Sequence, residues 1–200
     1  MRILVGAIFL VIFPVLGHGQ SASQNKCTVQ DLAIEAALGN HDAQYDLGVF
    51  FFRGEDVPQD FSKAAIMWRL AANAGMVEAN NNLGFLTYYG KGVKQDYAEG
   101  IRLWRLAAEA GFAESQVHLA EANNDERYLI QDLVEAYAWA KAGKHFAEKM
   151  TQAKLGSQIA ENADQVLIDV RATLSPVQLS EAEKRAATYI SKYPPKKSNY

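Results

Sequence analysis

Residues 55–75 (EDVPQDFSKAAIMWRLAANAG) and residues 91–111 (KGVKQDYAEGIRLWRLAAEAG) have closely similar sequences and lie 36 residues apart. Extending the alignment to residues 43–78 and 79–114 gives 15 identities in 36 positions, where average composition predicts about two or three. A third and weaker copy occupies residues 115–145. Self-similarity at this period is typical of repeat architectures, in which each unit is one supersecondary element.

Each copy is predicted to form two helices joined by a loop. In the first copy, an apolar segment ends at Gly54, and glycine is the preferred residue just after a helix. Asp60 precedes the next apolar segment and can accept hydrogen bonds from the free N–H groups of a helix start. That second segment ends at Gly75. The unit is therefore predicted to be helix, loop, helix and turn.

Small residues recur at one position of the first helix, as Gly48 and Gly84, and they predict a close approach between paired helices. Trp68 and Trp104 recur in the second helix, and we expect their rings at the opposite place, between adjacent units. A single helix pair cannot bury such faces alone, whereas stacked pairs can. The pattern therefore favours a solenoid.

The pattern A-x3-LG-x5-G-x2-V-x-QD, followed by W-x-LAA-x-AG, resembles the Sel1-like repeat family, which is related to the tetratricopeptide repeats. The resemblance implies an all-α, right-handed superhelical solenoid of helix-pair repeats. The sequence departs from the family pattern at Thr87, where an aromatic residue is usual, and at Glu126, where the loop glycine is usual. The third copy also shifts its tryptophan by one position, to Trp139, and is interpreted as a degenerate terminal unit.

Four regions are predicted along the chain. Residues 1–19 are expected to be a signal peptide, and residues 27–145 the Sel1-like solenoid. Residues 147–190 are predicted to be a helical cap, since a solenoid needs an element that covers its last apolar face. The cap contains a helix start at Ser175. Residues 191–200 are expected to be a flexible tail.

The N-terminal segment has Arg2 followed by an uncharged apolar run from Ile3 to Leu16. A secretory signal is favoured over a membrane anchor, because a spanning helix needs about 20 apolar residues. This predicts an exported protein, periplasmic or secreted. Cys27 is the only cysteine. It is a plain thiol in one interpretation and forms an intermolecular disulfide in the other.

Composition and motifs argue against several classes of function. The net charge of −3 shows no basic excess of the kind that nucleic-acid binding requires. His41, His118 and His145 are far apart and have no metal-ligand spacing, and neither a phosphate-binding glycine loop nor a nucleophile elbow is present. We therefore expect no metal, no cofactor and no enzyme. The alternative is a small periplasmic hydrolase, as claimed for cysteine-rich Sel1-like proteins, although those carry paired cysteines in each repeat.

The resemblance to tetratricopeptide geometry implies that the first helix of each unit lines a concave surface. It places the following residues there: Tyr45, Val49 and Phe52; Asn81, Phe85 and Tyr88; Val117, Glu121 and Asn124. Exposed aromatic residues would suit an extended peptide or an amphipathic helix of a protein partner. The same rings could instead pack helix against helix, or bind a membrane surface or a glycan. The predicted function is an exported protein-interaction module, in assembly or signalling of a bacterial envelope complex.

Overall fold

The computed structural model describes residues 28–125 and 131–195, and in these ranges the chain forms helices and no strands. The helices are α1 (Val29–Ala37), α2 (His41–Arg53), α3 (Phe61–Asn73), α4 (Val77–Tyr89), α5 (Tyr97–Glu109), α6 (Ala113–Asn124), α7 (Leu133–Ala147), α8 (Ala153–Arg171) and α9 (Pro176–Lys192). The predicted all-α fold is confirmed. The predicted signal peptide and Cys27 lie outside the described residues.

Three consecutive hairpins form the body of the solenoid: α2 with α3, α4 with α5, and α6 with α7. Each hairpin packs on the next through its neighbouring helices, and α1 packs on α2 at the N-terminal end. None of the described helices is both long enough and apolar enough to cross a membrane.

The helix boundaries follow the residues that predicted them. Gly54 and Gly90 end α2 and α4 in the left-handed conformation, with φ of +72° and +65°, which glycine adopts at little cost. Asp60, Asp96 and Asp132 cap α3, α5 and α7, and each carboxylate accepts a 2.9 Å hydrogen bond from the backbone N–H three residues later. Each unit is therefore the helix–loop–helix that the repeat predicts.

The recurring glycine and tryptophan pack directly on one another. A Cβ atom on Gly48 would lie 2.5 Å from Trp68 Nε1, and one on Gly84 would lie 2.7 Å from Trp104 Cδ1. The sequence placed these rings opposite the glycines, between adjacent units. The position opposite the glycines is wrong, because each ring occupies the space that the missing side chain leaves in its own hairpin. Trp104 does also contact the adjacent unit, since its ring stacks on His118 of α6. Both indoles are almost completely buried.

The indole N–H groups tie the two helices of a hairpin together. Trp68 Nε1 donates to the Tyr45 carbonyl and Trp104 Nε1 to the Asn81 carbonyl, both at 3.2 Å. Trp139, shifted by one position, is also buried, but its Nε1 has no partner in the described part of the chain. The degenerate third unit therefore keeps the bulk of the ring and loses its hydrogen bond.

The C-terminal helices cover the last hairpin. Ser175 forms a complete capping box at the start of α9, as predicted. α8 packs on α6 and α7, while α9 lies on α7. The rings of Tyr189 and Tyr193 stack on Trp139, with centroid distances of 4.1 and 5.8 Å. α9 continues to Lys192, and Pro194 and Pro195 lie against Gly111, so contacts with the solenoid extend into the segment predicted as a tail.

Candidate functional site

Most of the residues predicted to line an accessible groove are buried. Those with little exposure are Val49 (5%), Asn81 (1%), Phe85 (7%), Tyr88 (3%) and Val117 (2%). Tyr45, Phe52, Glu121 and Asn124 are half-buried. The expected exposure is therefore wrong for these five residues, two of which are aromatic, whereas a role in binding stays a prediction for the residues that solvent reaches.

Two of the predicted aromatic residues, Phe52 and Tyr88, face the second helix of their own hairpin, whereas Phe85 lies against Phe52 of the preceding unit, with ring centroids 6.1 Å apart. The Phe52 ring lies 5.4 Å from the Trp68 ring, and the Tyr88 ring lies 4.7 Å from the Trp104 ring. The aromatic side chains thus belong to the core that the tryptophans organise.

An acidic residue precedes the first predicted site residue of each unit by three positions. These acidic residues are Asp42, which is exposed, and Glu78 and Glu114, which are half-buried.

A group of polar side chains connects the first helices of all three units. We call it the polar network, and its hydrogen-bonded members are Tyr45 of α2; Asn81 and Asn82 of α4; and Glu114, Ser115, His118 and Glu121 of α6. Glu78, in the first turn of α4, is counted with them because its charge acts on the Tyr45 hydroxyl. Three of the predicted site residues, Tyr45, Asn81 and Glu121, belong to it.

Asn81 is the centre of the polar network. Its Nδ2 donates to Glu114 Oε2 at 2.9 Å, and its Oδ1 accepts from the Ser115 hydroxyl at 2.7 Å. It also donates to Asn82 Oδ1 at 3.2 Å, and Asn82 Nδ2 in turn lies 3.3 Å from the Tyr45 hydroxyl oxygen. The Asn81 amide fixes the position of Glu114 Oε2, and the chain of hydrogen bonds from Tyr45 to Glu114 joins all three units.

His118 and Glu121 form the edge of the polar network toward solvent, with side chains 12% and 28% exposed. His118 Nδ1 lies 3.3 Å from Glu121 Oε2, and the His118 ring stacks on Trp104 with a centroid distance of 4.7 Å and an interplanar angle of 26°. The same indole donates to the Asn81 carbonyl. The His118 ring is therefore fixed, but solvent reaches it.

Comparison with known proteins identifies the repeat. The family profile described as Sel1 repeat matches residues 41–76, 77–112 and 113–143, each match starting two residues before the boundary drawn from the alignment. The chain belongs to the Sel1 repeat family. Sel1 repeat proteins are generally protein–protein interaction modules and non-catalytic scaffolds.

Two solved structures share the Sel1 repeat fold of this chain. One is c5321, a protective antigen present in uropathogenic Escherichia coli strains displaying an SLR fold, with a TM-score of 0.55 and 25% identity over 82% of this chain and 41% of that one. The other is a Sel1 repeat protein from Oxalobacter formigenes, with a TM-score of 0.60 and 23% identity over 80% of this chain and 63% of that one. This chain thus spans less than two thirds of either. No curated protein sequence matches it.

In the described part of the chain, two carboxylates of the polar network, Glu78 and Glu114, lack the lysine or arginine partner that other partly buried carboxylates have. Among the described residues, no lysine or arginine forms an ion pair with Glu78 or Glu114. In contrast, Glu135 lies 3.2 Å from the Arg185 guanidinium, and Asp164 lies 2.6 Å from the Lys144 ammonium.

The missing cations affect protonation. Burial raises the pKa of Glu114, and the His118 charge and the Asn81 hydrogen bond offset only part of the shift. Burial also raises the pKa of Glu78, with a further contribution from the charge of Asp42. Burial likewise raises the pKa of the Tyr45 hydroxyl. The polar network therefore holds negative charge at a free-energy cost that a nearby cation would reduce.

The chemistry available here is recognition of a cation by oriented oxygen atoms. A carboxylate accepts strong hydrogen bonds from an ammonium or guanidinium group. Residues 28–125 and 131–195 contain no group of three His, Cys, Asp or Glu side chains placed to hold a metal ion. The Ser115 hydroxyl donates to Asn81 Oδ1.

Sequence reasoning missed Glu78 and Glu114 as site residues, although a signal was present. An acidic residue occupies the same repeat position three times, at Asp42, Glu78 and Glu114. All three stand in the first turn of a helix, where a negative charge also stabilises the helix dipole. The signal alone therefore predicts a helix start, and only the burial of the two glutamates distinguishes them from ordinary first-turn acids.

Proposed function

We propose that this Sel1 repeat protein is an interaction module that binds a basic segment of a partner protein at the polar network. The observation that carries the proposal is the pair of half-buried carboxylates, Glu78 and Glu114, that lack a lysine or arginine partner among the described residues. The family supports a protein partner, and the polar network supplies the chemistry that would recognise it.

The free-energy argument compares the protein alone with the complex. A carboxylate that is partly removed from water without a cation destabilises the folded protein. Asn81 keeps Glu114 oriented in spite of this cost. A lysine or arginine of a partner would offset the cost and form hydrogen bonds to a carboxylate that is already in place. Groups that cost stability and are held in order by their neighbours are typical of binding sites.

We further propose that the protein is exported and acts in the periplasm or outside the cell, in the assembly or signalling of an envelope complex. The support is the basic start and the short apolar run of residues 2–16. Cell fractionation, with N-terminal sequencing of the mature protein, tests the export proposal. Recovery of the uncleaved chain in the cytoplasm would overturn it.

Site-specific photo-crosslinking tests the binding proposal. A benzoylphenylalanine replaces Glu121 in one variant, at the edge of the polar network, and Leu106 in the control, a residue of α5 that is 47% exposed. The Glu121 position is expected to crosslink to peptides that contain lysine or arginine, and substituting Glu78 and Glu114 by glutamine should abolish the product. Crosslinks from Leu106 alone, or crosslinked peptides without a basic residue, would overturn the proposal.

A further inference from the structure

We propose that protonation of His118 switches this acidic site between a form that accepts a basic partner and a form in which the imidazolium takes the partner's place. The inference rests on the proposed function and concerns the regulation of the same site. It starts from geometry, because His118 is a residue of the polar network that can change its charge between about pH 5 and 8.

His118 is placed to act as an internal counter-ion. It lies one turn after Glu114 and one turn before Glu121 on α6, with Nδ1 3.3 Å from Glu121 Oε2. The stacked Trp104 ring holds the imidazole on one side and, as an aromatic face, attracts its protonated form. A protonated ring would therefore sit between two carboxylates without any rearrangement of the chain.

The charged groups around His118 all favour its protonated form. Glu121 and Glu114, both on α6, are the charged groups that act on His118 among the described residues. α5 presents the uncharged Trp104 ring, and α4 presents the Asn81 amide to Glu114 and adds the Glu78 carboxylate to the polar network. Tyr45 of α2 responds to the charges of Glu78 and Glu114. The polar network thus contains three carboxylates, and His118 is its one group able to become cationic.

The carboxylates beside His118 raise its pKa in spite of burial. Burial lowers the pKa of His118, but the Glu121 hydrogen bond and the charges of Glu121 and Glu114 together raise it by more, so the net pKa lies above the ordinary value. Below this pKa the imidazolium neutralises part of the acidic site. As the pH rises through it, the carboxylates lose their internal cation, and the site becomes free for a partner's lysine or arginine.

The first arm of the test measures the protonation of His118 without any ligand. The chemical shifts of the histidine ring C–H groups are followed by NMR against pH in the wild type, in Glu121→Gln and in the control His41→Gln. His118 of the wild type should titrate above the ordinary histidine pKa of 6.5, and Glu121→Gln should lower its midpoint while the control leaves it unchanged. A wild-type midpoint at or below the ordinary value, or no change in Glu121→Gln, overturns the switch.

The second arm measures binding of a short acetylated and amidated peptide of alternating lysine and glycine at pH 6.0 and 8.5. Wild type and His41→Gln are expected to bind about fivefold more weakly at pH 6.0, the size expected for competition by one partly exposed ion pair. The pH effect should be smaller in His118→Gln, whose fold is checked by circular dichroism. Equal affinity of the wild type at both pH values overturns the switch and leaves the proposed function standing. Failure to bind at either pH overturns the proposed function itself.

Discussion

Replacing Gly48 with alanine tests the close packing on which the whole solenoid depends. The added Cβ atom would lie 2.5 Å from Trp68 Nε1 and 2.6 Å from Trp68 Cδ1, which is well inside van der Waals contact. The ring is completely buried and its N–H donates to the Tyr45 carbonyl, so it cannot move aside without losing contacts.

The magnitude follows from three contributions. Overpacking a tight core costs about 1–3 kcal/mol, and loss of the indole hydrogen bond costs about 1 kcal/mol. Alanine in place of glycine within a helix contributes about 1 kcal/mol in the opposite direction. We therefore expect Gly48→Ala to lower the free energy of unfolding by about 2 kcal/mol.

Trp68→Leu provides the matched background. It removes the atoms that the new methyl group would strike, so in that background Gly48→Ala should stabilise the protein by about 1 kcal/mol through helix propensity alone. The assay is urea denaturation followed by circular dichroism, with the two single variants and the double variant forming a cycle. An equal loss of stability from Gly48→Ala in both backgrounds would refute the packing argument.

Three further predictions concern other parts of the chain. Glu114→Gln should raise the free energy of unfolding at pH 7 and leave it unchanged near pH 3. The pKa of Glu114 is raised in the folded protein, so ionisation of this carboxyl destabilises the fold as the pH rises from its unfolded pKa through its folded pKa. Urea denaturation at both pH values checks this. Asp96→Ala should cost about 1 kcal/mol through loss of the α5 cap, measured in the same way. Glu135→Ala should cost about 2 kcal/mol and speed amide hydrogen exchange in α9 but not in α2, because Glu135 accepts hydrogen bonds from Arg185 and Tyr189; unchanged exchange in α9 would contradict it.

The sequence predicts the solenoid because the repeat is local. The capping aspartates and the glycine helix ends act within one or two turns of themselves, so Asp60 and Gly54 could be assigned from spacing alone. The partner of Trp68 could not be assigned so directly, because the choice between its own hairpin and the adjacent unit depends on how the two helices rotate about their axes.

The candidate site was only partly predictable for the same reason. Whether Tyr88 faces solvent or Trp104 depends on the rotation of α4 about its axis. The resemblance predicted that Tyr88 faces solvent, whereas its ring packs on Trp104. The polar network depends on contacts such as Asn81 with Glu114, 33 residues apart, which no local pattern specifies. The fold of α9 back onto α7 is likewise set by pairs such as Tyr189 with Glu135, 54 residues apart.

The central functional claim is that Glu78 and Glu114 attract a cationic segment. The most direct measurement is an amide ¹H–¹⁵N NMR titration at pH 8.5 with the lysine–glycine peptide, and with a glutamine–glycine peptide as the neutral control. The account predicts that the lysine peptide alone shifts resonances around the first turns of α4 and α6, and that a Glu78→Gln/Glu114→Gln variant shows no shifts there. Shifts of equal size with both peptides, or shifts that persist in the variant, would contradict it.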